Sequence, residues 1–410
     1  MPEDTTKLAS YKRIILCSDG TWLASDTGGK AMPSNVAKLA RAVANSGPDD
    51  EGNLVKQIVS YHSNLGSGDL PFQKAIYGGF GWGLDIDVAQ IYDFISNNYE
   101  PGDELFFFGF SRGAFTVRSV AGLVCDVGVL SAVHMSRFAE MWSVYRSNTS
   151  GEPFRKSAWY LDNKEELGLT DVRVKVVGVW DTVGALGIPE WPVVDWAAKV
   201  GLPINKQYAF HNTNVSKNLD YAFQALAIDE KRLTFSPTLW HKTADGPAKD
   251  LQQCWFPGVH GNIGGWGCGP IVDNFSGLQG LFFWLLGKKD RAPGTYPRDP
   301  GDGTSGATNE YFHPITRIRK DNLNYNPVSL QGYAIERPDG SEGWKWVKRG
   351  VQSIPEYVMR PEKKMSVAYE ESGRVKYRVK ESLSRLLCPE SILLDLDRDN
   401  GINGMSRVVG

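Results

Sequence analysis

Of the residues in this 410-residue chain that could do chemistry, Ser111 has the most informative setting. It is the centre of Gly109-Phe110-Ser111-Arg112-Gly113, a G-x-S-x-G pattern at the end of the apolar run Leu105-Phe106-Phe107-Phe108. A serine hydroxyl is a weak nucleophile at neutral pH. It needs a base beside it, and the base needs a carboxylate to hold its tautomer and stabilise its cation. The chemistry in question is therefore acyl transfer, and it requires one histidine and one acid. The six histidines are His62, His134, His211, His241, His260 and His313. His62 follows a strand-like run but precedes the serine, and four others lie in polar or loop-like sequence. His260 follows a strand-like run after the serine and enters the glycine-rich Gly258 to Gly265, a loop suited to a side chain that must reach an active centre. Asp181 is the candidate acid, because it directly follows the apolar Val174 to Val179; Asp229 and Asp273 are the alternatives. Each type also has an ordinary structural use, such as a turn serine, a loop histidine or an N-cap aspartate.

These groups need elements to position them. Leu105 to Phe108, led in by Pro101-Gly102-Asp103, reads as a strand buried on both faces. Beyond Gly113, Ala114, Val117, Ala121 and Val124 recur at helical spacing, so Ser111 lies between a strand and a helix, the context of a nucleophile elbow. Upstream, Arg13 to Cys17 reads as a first strand ending in Ser18-Asp19-Gly20-Thr21-Trp22. Pro33-Ser34-Asn35 opens a helix with Val36, Leu39, Ala40 and Val43 on one face. Leu54 to Tyr61 reads as a second strand, and Leu84, Val88, Ile91 and Ile95 mark a second helix. This alternation implies an α/β fold with a mostly parallel sheet covered by helices on both faces. In such sheets reactive groups gather at the carboxyl ends of the strands. The oxyanion donors expected there are the backbone N–H of Arg112 and one from Gly20 or Thr21. Asp19 reads as a brace for that turn.

Further on, residues 135 to 170 show no clean period. Val172 to Val179 reads as a strand, 185 to 212 as an insertion over the active site carrying Trp191 and Trp196, and Val215 to Ala227 as a helix. Gln253 to Phe256 reads as a strand and Leu278 to Leu286 as an apolar helix. Residues 290 to 345 read as loops, with a helix at Glu381 to Leu387. The order Ser, Asp, His is that of α/β-hydrolases. The expected division is a catalytic domain over 12 to 290 and a peripheral C-terminal extension over 291 to 410 that supplies no member of the Ser-Asp-His set.

Composition narrows the function. The chain has 45 Lys+Arg against 47 Asp+Glu, a formal net charge of -2, so nothing in it asks for a nucleic-acid partner. The five cysteines, Cys17, Cys125, Cys254, Cys268 and Cys388, are odd in number and lack C-x-x-C spacing, which indicates neither a disulfide framework nor a zinc site. The glycine clusters at 64–68 and 78–83 match neither a P-loop nor a dinucleotide fingerprint. No metal and no cofactor are expected. Met1 to Ser10 shows no signal-peptide core and no apolar run is long enough to span a bilayer, so a cytoplasmic protein without a transmembrane segment is the expectation.

Several segments together resemble the α/β-hydrolase domain of the type VI secretion phospholipase effectors and their bacterial and fungal homologues. They are Asp19-Gly20-Thr21-Trp22, Asn98 to Arg118, Val179 to Gly184, Ala227-Ile228-Asp229-Glu230 and Trp255 to His260, in the family's order across roughly 12 to 290. The resemblance implies a Ser-Asp-His triad that falls on Ser111, Asp181 and His260. The chain departs from the family at two places: Asn262 stands where Asp is common, and Gln224 where His is common. The effectors' membrane-binding modules have no evident counterpart.

The expected function is a serine hydrolase acting on a carboxylic ester, including that of a phospholipid. The alternatives are a small-molecule esterase or acyl-transfer enzyme, and a non-catalytic binding protein on the same fold. An apolar patch of Trp191, Val193, Val194, Trp196 and Val200 would favour a lipid substrate and peripheral membrane contact; packing of these residues over the core is the plainer reading.

Overall fold

The structure, a computed structural model, describes residues 7–20, 33–63, 84–148, 152–183, 214–242, 246, 249–265, 288–296, 307–337, 343–358, 366–371 and 374–379. The expected insertion over 185–212, Thr21, Asp273, the helix at Leu278 to Leu286 and the helix at Glu381 to Leu387 lie outside these residues. The chain forms two compact units. The first comprises Met1–Gln253, Gly258–Arg291 and Tyr296–Asn309, the second Cys254–Pro257, Ala292–Thr295 and Glu310–Gly410.

The first unit is built on β1 (Leu8–Ser18). β2 is Ser46–Pro48, β3 Leu54–His62, β4 Glu104–Phe110, β5 Val174–Trp180, β6 Leu219–Ala227 and β7 Asp250–Phe256. They lie in one sheet in the order β2-β3-β1-β4-β5-β6-β7. β1 runs parallel to both β3 and β4, β4 to β5, and β5 to β6, while β2 pairs antiparallel with β3. The fold is α/β with a mostly parallel sheet.

Side-chain alternation explains why β1 and β4 lie inside. Ile14, Leu16, Leu105 and Phe107 face one apolar core; Ile15, Cys17, Phe106 and Phe108 face another on the opposite side. A strand buried on both faces needs apolar residues at consecutive positions, and both runs supply them. α1 (Asn35–Ala42) covers the second face with Val36, Leu39 and Ala40, its N-terminus capped by Ser34 Oγ, which accepts the N–H of Ala37 at 3.0 Å. α2 (Leu84–Asn98) and α3 (Ser111–Asp126) cover the first. α2 buries Val88, Ile91, Tyr92 and Ile95, one helical stripe, and α3 buries most of its surface.

Two expectations for this unit change. Leu219–Ala227 is a strand and not the end of a helix over Val215 to Ala227. Its buried Ala222, Gln224 and Leu226 alternate with the half-buried Tyr221, Phe223 and Ala225, a period of two. The exposed backbone edge of β5 is met by this segment residue for residue, from Val174↔Leu219 to Trp180↔Ala225, and that tertiary demand overrides the helix preference of its alanines. Residues 135 to 170, which show no clean period when taken together, contain α4 (Phe138–Ser147) and α5 (Ala158–Asn163). In α4, Phe138, Met141, Trp142 and Tyr145 follow the i, i+3, i+4, i+7 pattern and are buried. A tyrosine–phenylalanine edge contact with centroids 5.3 Å apart ties Tyr145 to Phe154. The short helices interrupt the period across the whole span, so it shows only in shorter windows.

The second unit contains the last part of β7, Cys254–Phe256, and β8 (Glu310–Phe312); just after β8 the N–H of His313 donates to Trp255 O at 3.0 Å. Residues 290 to 345, expected to be loops, include α7 (Pro314–Leu323), following the His260–Ile263 turn designated α6 in the first unit. Proline at the first turn of α7 and the His313 side chain, accepting the N–H of Ile315, explain its start. β9 (Ala334–Glu336), β10 (Lys345–Val347) and β11 (Ile354–Pro355) make an antiparallel three-stranded sheet. Phe312, Tyr333 and Trp346 form an aromatic core, and Arg317 pairs with Glu356 beside it. β12 (Ser366–Glu371) and β13 (Arg374–Val379) form a hairpin.

Candidate active site

The chain turns from β4 into α3 at Ser111, whose φ of 56° is left-handed, an unusual state for a residue with a Cβ. Two glycines make that turn possible by letting backbones meet. A Cβ on Gly109 would lie 2.7 Å from Ala114 Cα and from the Gly113 carbonyl oxygen. One on Gly113 would sit on the carbonyl oxygens of Ser18 and Asp19, at the end of β1. The start of α3 thus rests directly on the turn after β1. Gly113→Ala should destabilise the protein by about 2–3 kcal/mol or more, the scale of forced overpacking, because rigid backbone cannot move aside as a side chain can. Chemical denaturation measures it; a loss under 0.5 kcal/mol, well below the ~1 kcal/mol floor of overpacking, would show that the contact relaxes freely.

Asp181 directly follows β5, the strand beside β4, and is also left-handed at φ 43°. Its N–H donates to Ala225 O at 2.7 Å, which ties the turn to β6. Backbone strain of this kind costs on the order of 1–3 kcal/mol per residue and tends to occur at functional sites. Here it marks the ends of two adjacent strands.

His260 follows β7 on a loop held from both sides. Gly258, with φ 130°, exchanges two hydrogen bonds with Asp229: its N–H donates to Asp229 Oδ2 at 2.6 Å and its carbonyl accepts from Asp229 N at 3.0 Å. Asn262 Oδ1 accepts the N–H of Val259 at 3.0 Å, and Glu230 Oε2 accepts that of His260 at 3.2 Å. The imidazole touches two aromatic rings. Phe110 is 4.6 Å away between centroids and tilted, and Phe235 is 4.8 Å away and edge-on.

The structure brings the three residues together. Ser111 Oγ is 2.8 Å from His260 Nε2, and His260 Nδ1 is 2.6 Å from Asp181 Oδ2. Ser111, Asp181 and His260 are all buried. A carboxylate can only accept, so Nδ1 carries the proton, and Nε2 is left with its lone pair toward the serine hydroxyl. Asp229 braces the loop and Asp181 faces the imidazole, so of the described acids Asp181 holds the position an acid needs.

Asp181 has a further partner that sequence spacing did not single out. Arg291 Nη1 donates to Asp181 Oδ1 at 2.5 Å and Nη2 to Oδ2 at 2.9 Å. Oδ1 also accepts the N–H of Ala227 at 3.0 Å. Burial by itself would raise the Asp181 carboxyl, but the Arg291 guanidinium and the His260 hydrogen bond together outweigh it and hold the group well below the usual carboxylate range. Arg291 is raised for the reciprocal reason: burial disfavours its charge, and Asp181 more than compensates. Arg291 would be the first residue of a peripheral extension; it is instead buried within the first unit. Glu230 was also missed. Burial pushes it up, but its pairing with Arg232 pulls it below the ordinary glutamate value. Neither Arg291 nor Glu230 carries a local signal: both sit in short charged stretches that read as surface.

The oxyanion candidates are placed as follows. Arg112 is in the first turn of α3, where backbone N–H groups lack intrahelical partners. Gly20 lies against the elbow, since a Cβ on it would be 3.2 Å from Ser111 Cβ. Its N–H, however, donates to Asp19 Oδ1 at 2.8 Å. Asp19 is a buried brace: its Oδ2 accepts from Ser34 Oγ at 2.5 Å and from Tyr61 OH at 2.6 Å. Gln224 is the hub of a buried polar network. It accepts from Thr182 Oγ1 at 2.5 Å and donates to Thr238 O and Gln253 Oε1, each at 3.0 Å. Among the described residues no group of His, Cys, Asp and Glu could hold a metal ion, and no helix is long and apolar enough to cross a membrane.

Comparison with known proteins adds three findings. An uncharacterized protein of Saccharomyces cerevisiae, YEL023C, is 28% identical over 198 residues, covering 44% of this chain; the chain spans only 28% of that protein's length. The structure of the Tle1 effector bound to the VgrG spike from the type 6 secretion system superposes loosely, with a TM-score of 0.28 and 17% identity over 65% of this chain and 53% of that one. The model of the family described as T6SS, phospholipase effector Tle1-like, catalytic domain matches residues 12–270, which include Ser111, Asp181 and His260, and the chain belongs to that family.

Proposed function

We propose that the protein is a serine hydrolase that cleaves a carboxylic ester of a lipid, in the manner of a phospholipase, through an acyl-enzyme on Ser111. The observation that carries this is the buried hydrogen-bond chain Ser111–His260–Asp181, with spacings of 2.8 and 2.6 Å. Family membership supports a hydrolase of the phospholipase type.

In this reading Ser111 Oγ attacks the ester carbonyl as His260 Nε2 takes its proton. Asp181 fixes the tautomer and the orientation of the ring. The carbonyl oxygen becomes an oxyanion, stabilised by the N–H of Arg112 and the positive end of α3. A second donor comes from Gly20 once its N–H exchanges Asp19 for the oxyanion. His260 then returns the proton to the departing alcohol. A water molecule, activated by the same Nε2, attacks the acyl-enzyme and releases the acid. Phe110 and Phe235, both in ring contact with the imidazole, restrict its rotation. No step calls for a cofactor.

The test is reaction of the purified protein with a fluorophosphonate probe, followed by fatty-acid release from phosphoglycerides beside short-chain esters. Labelling at Ser111 with release from the phosphoglycerides is the expected result. Labelling with release only from short-chain esters would support the small-molecule esterase reading. No labelling and no release from any ester would leave a binding protein on a hydrolase fold.

A further inference from the structure

We propose that Arg291 is a positioning residue for the reaction at Ser111: it grips Asp181 through two parallel hydrogen bonds and so fixes the carboxylate that orients His260. This rests on the hydrolase reading above.

The geometry is specific. Among the described residues Arg291 makes four hydrogen bonds at its two terminal nitrogens. Two go to Asp181; the others go to Ala227 O at 2.9 Å and Phe235 O at 2.8 Å. Ala227 ends β6, and Phe235 is the residue whose ring stands edge-on to His260. One guanidinium therefore fixes the acid, the strand end beside it and one wall of the imidazole. Arg291 Nε is buried with no hydrogen-bond partner among the described residues. A buried pair with an unsatisfied donor is a poor device for stability, since replacing buried ion pairs with apolar residues is often neutral or stabilising. What the pair does provide is a planar, two-pronged grip, and lysine cannot reproduce it.

The experiment is kcat and KM on one ester for wild type, Arg291→Gln and Arg291→Lys, each checked for folding by circular dichroism. Arg291→Gln is expected to lose kcat on the order of a hundredfold through misplacement of the acid, with KM little changed. Arg291→Lys keeps the charge but loses the two-pronged grip, so it should not rescue kcat. A loss carried by KM with kcat unchanged, or full kcat in Arg291→Lys, would overturn the proposal while wild-type turnover keeps the hydrolase reading intact. If Arg291→Gln does not fold, Arg291→Lys decides alone: kcat must fall with KM in place. A wild type that neither turns over esters nor takes the fluorophosphonate label overturns both.

Discussion

Ser111→Ala should lose about 10⁴-fold or more in ester hydrolysis, together with all fluorophosphonate labelling, and keep its fold. The large effect on rate follows from the geometry. Removing the hydroxyl deletes the atom that His260 Nε2 faces at 2.8 Å, and no described residue offers another nucleophile at that place. The small effect on stability follows from what is left in place. Alanine keeps the Cβ, so the left-handed backbone at φ 56° carries the same strain as before, and both elbow glycines still fit. His260 Nε2 loses one neutral hydrogen bond, worth about 1 kcal/mol. The measurement is kcat on an ester that wild type cleaves, with a denaturation curve on the same sample. Near-full activity in a folded variant would remove Ser111 from the mechanism.

Asp181→Asn should cost activity on a similar scale, about 10⁴-fold, and unlike the serine variant it should also cost stability, about 3–5 kcal/mol. The two losses have different causes. For rate, asparagine has no charge to fix the Nδ1–H tautomer, so His260 can present a donor to Ser111 where an acceptor is required. For stability, the change leaves Arg291 as a fully buried cation without its anion, and the new amide nitrogen faces donors from both Arg291 and His260. The pH dependence has a definite sign. Asp181 is held below the ordinary carboxylate range, so its contribution is fully present above the unfolded-state value of about 3.9 and is lost only as pH falls below it, through the folded-state value. The stability gap between wild type and Asp181→Asn should therefore be constant from neutral pH down to about 4 and narrow only in stronger acid. Activity within tenfold of wild type would refute the assignment of the acid, and a gap that closes between pH 7 and 5 would refute the tight pairing with Arg291.

The site and the fold were legible in the sequence to different depths, and the physical reason is the range of the interactions involved. The elbow is a local device. An apolar run, a serine flanked by glycines at two residues on either side, and a helical stripe beginning at Ala114 lie within about twenty residues, and backbone sterics alone tie them together. The first helices and strands were equally local, because Val36, Leu39 and Ala40, or Val88, Ile91 and Ile95, declare one face of a helix by their spacing. The sequence also narrowed the candidate acid and base to residues that directly follow strands, because a parallel sheet exposes its strand ends at one edge. Tertiary structure decided the rest. Leu219–Ala227 became a strand because β5 had a backbone edge to satisfy, which no property of that segment announces. The Gly20 N–H was claimed by Asp19, which Ser34 and Tyr61 hold from elsewhere in the chain. Arg291 meets Asp181 across 110 residues of chain, from a stretch whose charges read as surface. A buried ion pair of this kind has no periodicity and no spacing rule: its members find each other only when packing has removed water from both.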